Sequence, residues 1–171
     1  PGITGRGIHN GGRFYTFAGS VIVLKYIEGP SIYNDNNGYM RTRGLIDISN
    51  IDIVPILNYD RIYNSGQINI SSVLNPAHYG MTNSGDFRNY ADGEININSD
   101  MYAGIQNLEI GTVTNYGDIN IDNTSYGFMN WGTLNNEPNS HMLMLGCSFS
   151  FKNFDTGIML NEGSMQSIGS G

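Results

Sequence analysis

Glu94-Ile95-Asn96-Ile97 and, 24 residues later, Asp118-Ile119-Asn120-Ile121 are one phrase written twice. Ile46-Asp47-Ile48 and Ile68-Asn69-Ile70 precede it and Met142-Leu143-Met144 follows, at intervals of 22, 27, 24 and 23 residues. Each segment alternates apolar and polar side chains, as a strand with one buried face does. The intervening residues repeat as well. Asn-x-Gly or a near variant recurs at Asn64 and Gly66, Asn83 and Gly85, Asn107, Asn115 and Gly117, and Asn130 and Gly132. Asn and Gly tolerate positive φ, so these positions are expected to turn sharp corners between strands.

Strands this short do not stand alone as hairpins. Stacked coil upon coil, each pairs with its equivalent in the next repeat and all share one core. At about 3.3 Å per strand residue, a repeat of this length holds three short strands and three corners. The expected fold is all-β, a single-stranded parallel β-helix (β-solenoid) of roughly 24 residues per coil. Ile46, Ile48, Ile68, Ile70, Ile95, Ile97, Ile119, Ile121, Met142 and Met144 should point inward, with Asp47, Asn69, Asn96 and Asn120 forming an outward polar row. An antiparallel sandwich or barrel also uses short strands, but does not need its units to resemble one another in such detail.

Residues 46–171 carry the repeats. Residues 1–45 show them poorly and read as an irregular N-terminal strand segment: a cap, the first irregular coils, or an assembly arm. Phe14-Tyr15-Thr16-Phe17 and the run Val21–Ile27 are its strongest strands. A solenoid end exposes strand edges, so Phe14, Tyr15, Phe17, Val21 and Val23 are candidates for assembly with another copy through a heterologous contact.

Composition narrows the function classes. Gly and Asn number 23 each and Ile 21, while only 13% of residues are charged. Eight basic against 15 acidic residues give a net charge of −7, which argues against nucleic acid as the main partner. The longest apolar run, Val21 to Leu24, is too short to span a membrane. A single cysteine, Cys147, excludes an internal disulfide framework and a cysteine-based zinc site. With no initiator methionine and no secretory signal, the sequence reads as a processed or truncated chain. Thiol-poor, Lys-poor, Asn-rich composition suits an extracellular or cell-surface location.

Glu94 and Asp118 hold the same place in adjacent repeats and, with Asp122, are calcium-ligand candidates. The same carboxylates also read as a solvated acidic face, and no dense Asp motif accompanies them. Arg41, Arg43, Arg61 and Arg88 look scattered, and no acid, base and charge stabiliser share repeat-consistent positions. The expectation is a non-enzymatic chain without a cofactor. Tyrosine numbers 11. Tyr79, Tyr102 and Tyr126 precede repeat glycines, and Tyr59, Tyr90 and Tyr116 follow repeat asparagines. They form either a stabilising aromatic ladder or a face for sugar rings or a partner protein. Trp131 is the candidate single anchor of such a partner surface.

The Asn-x-Gly corner followed by x-Ile-Asn-Ile resembles the coil repeats of bacterial surface β-helix proteins, the filamentous-haemagglutinin-type adhesins and autotransporter passenger domains. The likeness covers about Asn58 to Met144, is faint at Gly157 to Gly163, and does not reach residues 1–45. It implies secretion, a surface location, and adhesion or scaffolding, and it carries over no catalytic residue. The expected function is a structural β-solenoid, an adhesin segment or a self-assembling fibre subunit forming a homo-oligomer or homopolymer, with surface glycans as a further partner. The alternatives are a carbohydrate-binding or polysaccharide-cleaving β-helix and a phage tail-spike fragment.

Overall fold

The computed structural model describes residues 5–169; the outermost positions of the two expected segments, 1–4 and 170–171, lie outside the described residues. The chain winds through seven coils of strands, with no helix among the described residues. The first coil holds β1 (Ile8–Asn10), β2 (Arg13–Tyr15) and β3 (Val21–Ile27), and the second β4 (Ile32–Asn34), β5 (Tyr39–Thr42) and β6 (Leu45–Ile51). The third holds β7 (Ile56–Asn58), β8 (Arg61–Asn64) and β9 (Gln67–Val73). The fourth contains β10 (Tyr79–Asn83), β11 (Asp86–Asn89) and the start of β12 (Glu94–Asn107). The end of β12, then β13 (Thr112–Asn115) and the start of β14 (Asp118–Asn130), make the fifth. The end of β14, β15 (Thr133–Asn136) and β16 (His141–Leu145) make the sixth, and β17 (Phe149–Asn153), β18 (Ile158–Asn161) and β19 (Ser164–Ile168) the seventh.

Strands stack on their equivalents one coil away, and every pairing is parallel. The result is a parallel β-solenoid with three faces. The first face follows Ile8, Ile32, Ile56, Met81, Ile105, Phe128 and Phe151. The second follows Phe14, Met40, Ile62, Phe87, Val113, Leu134 and Met159. The third follows Ile22, Ile46, Ile68, Ile95, Ile119, Met142 and Met165. Strands of the first two coils, within residues 8–42, thus occupy the same three faces as the later ones. Every inward position expected on the third face is at most 1% exposed. Core residues of the outermost coils, Phe14, Ile22 and Leu24 at one end and Phe151, Met159 and Met165 at the other, are only partly buried.

The corners fall where expected, but for another reason. None of the corner asparagines 64, 83, 107, 115 and 130, nor Gly66, Gly85, Gly117 or Gly132, has positive φ. The asparagines are instead buried at strand ends, where their side chains bond coil to coil. On the first face Asn10, Asn34, Asn58, Asn83, Asn107, Asn130 and Asn153 form one ladder, with Nδ2···Oδ1 distances of 2.7–2.8 Å. On the second face Asn64, Asn89, Asn115, Asn136 and Asn161 form another, at 2.8–2.9 Å. In the first coils of that face the Thr16 hydroxyl donates to the Thr42 hydroxyl at 2.8 Å.

Most ladder amides also close their own corner. In short corners it donates to the carbonyl two residues on, as Asn83 does to Gly85 and Asn130 to Gly132. In long corners it donates to the carbonyl four residues on, as Asn89 does to Gly93 and Asn107 to Gly111. The long corners are β-turns closed by a backbone bond, for example Gly111 N–H to Leu108 C=O at 2.8 Å. These two corner lengths contribute to the uneven repeat spacing, and a longer third bend between Val73 and Met81 produces the widest interval. The corner glycines permit close backbone approach rather than an unusual dihedral. A Cβ on Gly85 would collide with the Asp60 carbonyl, and one on Gly132 with the carbonyls of Gly111 and Leu108.

Left-handed backbone is found mainly at the third bend, between the third face and the next first face, and at Gly19 and Asn139 in two of the second-to-third-face corners. Tyr26, Asn50, Ser72 and Asn123 (φ 54–57°) and Gly146 and Gly169 (φ 60° and 75°) follow equivalent strand positions. The fourth coil departs from this column, and its register shifts between Asn98 and Met101.

Candidate interaction faces

A solenoid displays outward side chains in rows one strand spacing apart, so an interaction site here is a pattern of rows. On the third face the polar row holds as expected: the Asn96 amide donates to Asn69 Oδ1 at 3.1 Å, and Asn120 to Asn96 at 3.0 Å. Glu94 and Asp118 are direct cross-strand neighbours, and Asp122 lies four residues further along β14. Glu94 accepts a hydrogen bond from Asn96 at 2.9 Å. Among the described residues no group of three or more His, Cys, Asp or Glu side chains is placed to hold a metal ion, so the three calcium candidates do not converge.

The tyrosines stack along the axis. Tyr79, Tyr102, Tyr126 and Phe149 run up the first face with centroid separations of 5.0–5.7 Å. Tyr59 stands against Tyr33, which Arg6 covers at 3.6 Å. Trp131 is not a free anchor: its ring stacks flat on Phe154, with centroids 3.8 Å apart and planes 8° from parallel. Beside it Leu108, Glu109, Ile110 and Ser84 line a shallow corner depression, where Ile110 is 82% exposed. Of the assembly candidates, Phe14 packs partly against the core, while Tyr15, Phe17, Val21 and Val23 are exposed. Cys147 is buried with its Sγ 3.2 Å from the Thr124 hydroxyl, a packing position.

The second face holds a pattern that the linear sequence hides. Its first four strands place Arg13, Tyr39, Arg61 and Asp86 in one outward row, and Tyr15, Arg41, Tyr63 and Arg88 in the other. Arginines read as scattered therefore share one surface, one per coil, alternating between the rows. Tyrosines occupy the complementary squares, with Tyr15–Tyr39 and Tyr39–Tyr63 centroids 5.8 and 5.4 Å apart. Asp86 organises the far end of the pattern. It pairs with Arg88 at 3.0 Å and accepts the Tyr63 hydroxyl at 2.9 Å. Burial, then the Asp86 acceptor, push the Tyr63 phenol up to about 12. Hydrogen bonding to Asp86 raises Arg88 further above its ordinary value. Arg61 pairs with Asp60 at 3.1 Å. Among the described residues Arg13, Arg41 and Arg43 have no ion-pair partner, and Arg41 Nε is buried without a hydrogen-bond acceptor.

The sequence signal for this surface was the tripeptide at each second-face strand. Arg13-Phe14-Tyr15, Tyr39-Met40-Arg41, Arg61-Ile62-Tyr63 and Asp86-Phe87-Arg88 each set one apolar residue between two charged or aromatic ones. It is obscured because these tripeptides lie 26, 22 and 25 residues apart, according to which corners are long and to the longer third bend between Val73 and Met81.

No protein-family model, no curated protein and no solved structure matches this chain.

Proposed function

We propose that this chain is a non-enzymatic structural β-solenoid of the extracellular adhesin type, a stiff shaft that displays interaction faces and joins other copies through its coil edges. The observation that carries this reading is the unbroken parallel stack: three faces in register over seven coils, tied internally by two buried asparagine ladders. Such a stack is rigid along its axis and repeats its outer rows, which suits adhesion or scaffolding. The partly covered core residues of the outermost coils, together with exposed Tyr15, Phe17, Val21 and Val23, favour edge-to-edge stacking with a second copy. The repeat phrases resembling filamentous-haemagglutinin-type adhesins and autotransporter passengers support the same placement.

Electron microscopy of purified protein at neutral pH tests assembly. Filaments whose mass per length fits stacked coils are expected. Deleting residues 1–28 removes the first coil and should slow or abolish filament growth. A strictly monomeric intact protein, or a truncated one that assembles equally well, rules out strand addition through this segment.

A further inference from the structure

We propose that the arginine–tyrosine surface of the second face binds an acidic polysaccharide, specifically a linear β-1,4-linked polyuronate lying along the solenoid axis. This gives the adhesive role above a site and a ligand class, and in that sense rests on it.

Three observations carry the assignment. The first is segregation. Only eight residues of this acidic chain are basic, yet Arg13, Arg41, Arg61 and Arg88 share the outer rows of four successive strands, with Arg43 at the adjoining corner. The second is spacing. One arginine appears per coil, about 4.8 Å apart along the axis, and successive ones switch between rows about 6.8 Å apart. In an extended β-1,4-linked hexuronate each sugar is flipped by half a turn relative to the last. Its carboxylates therefore alternate between the two edges of the ribbon, one per sugar, and the ribbon advances by close to one strand spacing per sugar. An arginine zigzag of this period meets each carboxylate with a guanidinium, the side chain best suited to bidentate carboxylate recognition.

The third is the state of the groups between and around the arginines. Tyr15 offers an exposed ring to the sugars between carboxylates, while Tyr39 and Tyr63 are half-buried with Arg61 and Arg88 over their rings, which holds those guanidinium groups at the surface. Gly12, Arg13, Tyr15, Asn37, Tyr39 and Arg61 line a depression of about 560 Å³ on this surface. Among the described residues Arg13 and Arg41 stand without ion pairs, so the first coils hold uncompensated charge. Asp60 and Asp86 hold Arg61 and Arg88 in place and thin the net positive charge of the surface. The overall charge of −7 opposes any polyanion, so the preference for a polyuronate over a phosphodiester rests on the match of one guanidinium per coil to one planar carboxylate per sugar.

Isothermal titration calorimetry with the intact protein tests the assignment, using β-1,4-linked mannuronate octamers as probe. A neutral β-1,4-glucan oligomer and a single-stranded DNA oligonucleotide are run alongside at low ionic strength. The mannuronate should bind and weaken with added salt, while the glucan and the DNA should bind far less. The Arg13→Gln/Arg41→Gln variant should lose about tenfold or more in affinity, as expected when charge-assisted hydrogen bonds are removed. Lys152→Gln, which removes a cation from the first face, should bind as the unaltered chain does. Thermal unfolding of both variants checks that the coils are intact. The proposal is overturned by absent mannuronate binding, by DNA binding as tight as mannuronate, or by an equal effect of Lys152→Gln. Loss of this binding in a protein that still forms filaments rejects the site and leaves the scaffold role standing. Binding without filaments does the reverse.

Discussion

A single ladder asparagine does three jobs at once. Asn107 is fully buried, accepts from Asn83, and donates toward Asn130 and toward the Gly111 and Thr133 carbonyls. Asn107→Ala should therefore destabilise by several kcal/mol, at about 1–3 kcal/mol for each buried group left unpaired. Asn107→Asp keeps the shape but sets a carboxylate against the oxygens that the amide served. Denaturant titrations should show it to be the worse variant at neutral pH. Its deficit should shrink on acidification, because folding favours the protonated acid and the penalty grows as pH rises through the ordinary carboxylate range. Tyr63 gives the opposite limb. Its phenol is raised from its ordinary value of 10.0 to about 12, so between those values the folded chain keeps a proton that the unfolded chain has released. Stability contributed by Tyr63 is present below pH 10 and is lost as pH climbs through about 12. Unfolding titrations of the unaltered chain and Tyr63→Phe should therefore converge in alkaline solution. An unchanged gap above pH 10 contradicts this.

At the scale of strands and corners, the ladder amide tolerates two corner lengths because it reaches the carbonyl either two or four residues ahead. Deleting Glu109 and Ile110 turns the Asn107–Gly111 corner into a copy of Asn130-Trp131-Gly132 and removes a highly exposed isoleucine. The double deletion should keep the β spectrum and shift unfolding by about 1 kcal/mol or less, as surface changes usually do. Deleting Ile110 alone leaves a length that neither closure fits and should cost more. The same two lengths explain what could be read in advance. Third-face strands are legible because Ile-x-Ile marks four of the seven, all in the middle of the chain, whereas the second-face centre is Phe, Met, Ile, Phe, Val, Leu or Met. The corners were recognised from Asn and Gly, but by the wrong physics. Their positive φ was expected, and the true causes, buried amide bonding and tight backbone approach, are relations between coils that no single corner displays. The arginine zigzag was missed for the same reason, since uneven corners remove its period from the linear sequence.

Across the whole molecule, stability should follow the stack. Interior coils have neighbours above and below, whereas the outermost core residues are partly covered. Hydrogen exchange should therefore be slowest in β11, β12, β13 and β14 and faster toward β1–β3 and β17–β19, a gradient expected of nearest-neighbour architectures. Uniform protection from end to end would instead indicate that further coils or copies cover both ends.

The asparagine ladders also give the rod a direction. Every amide from Asn10 to Asn130, and from Asn64 to Asn136, donates toward the later coil, so the side-chain dipoles add within each buried ladder, while the half-buried Asn69–Asn96–Asn120 row donates the other way. One end of each ladder offers acceptors and the other donors. A further coil, from this chain or from a second copy, extends the ladders only when added in the same sense. Two like ends brought together would set oxygen against oxygen or N–H against N–H. Any fibre built this way is polar, with two chemically distinct tips that can grow at different rates.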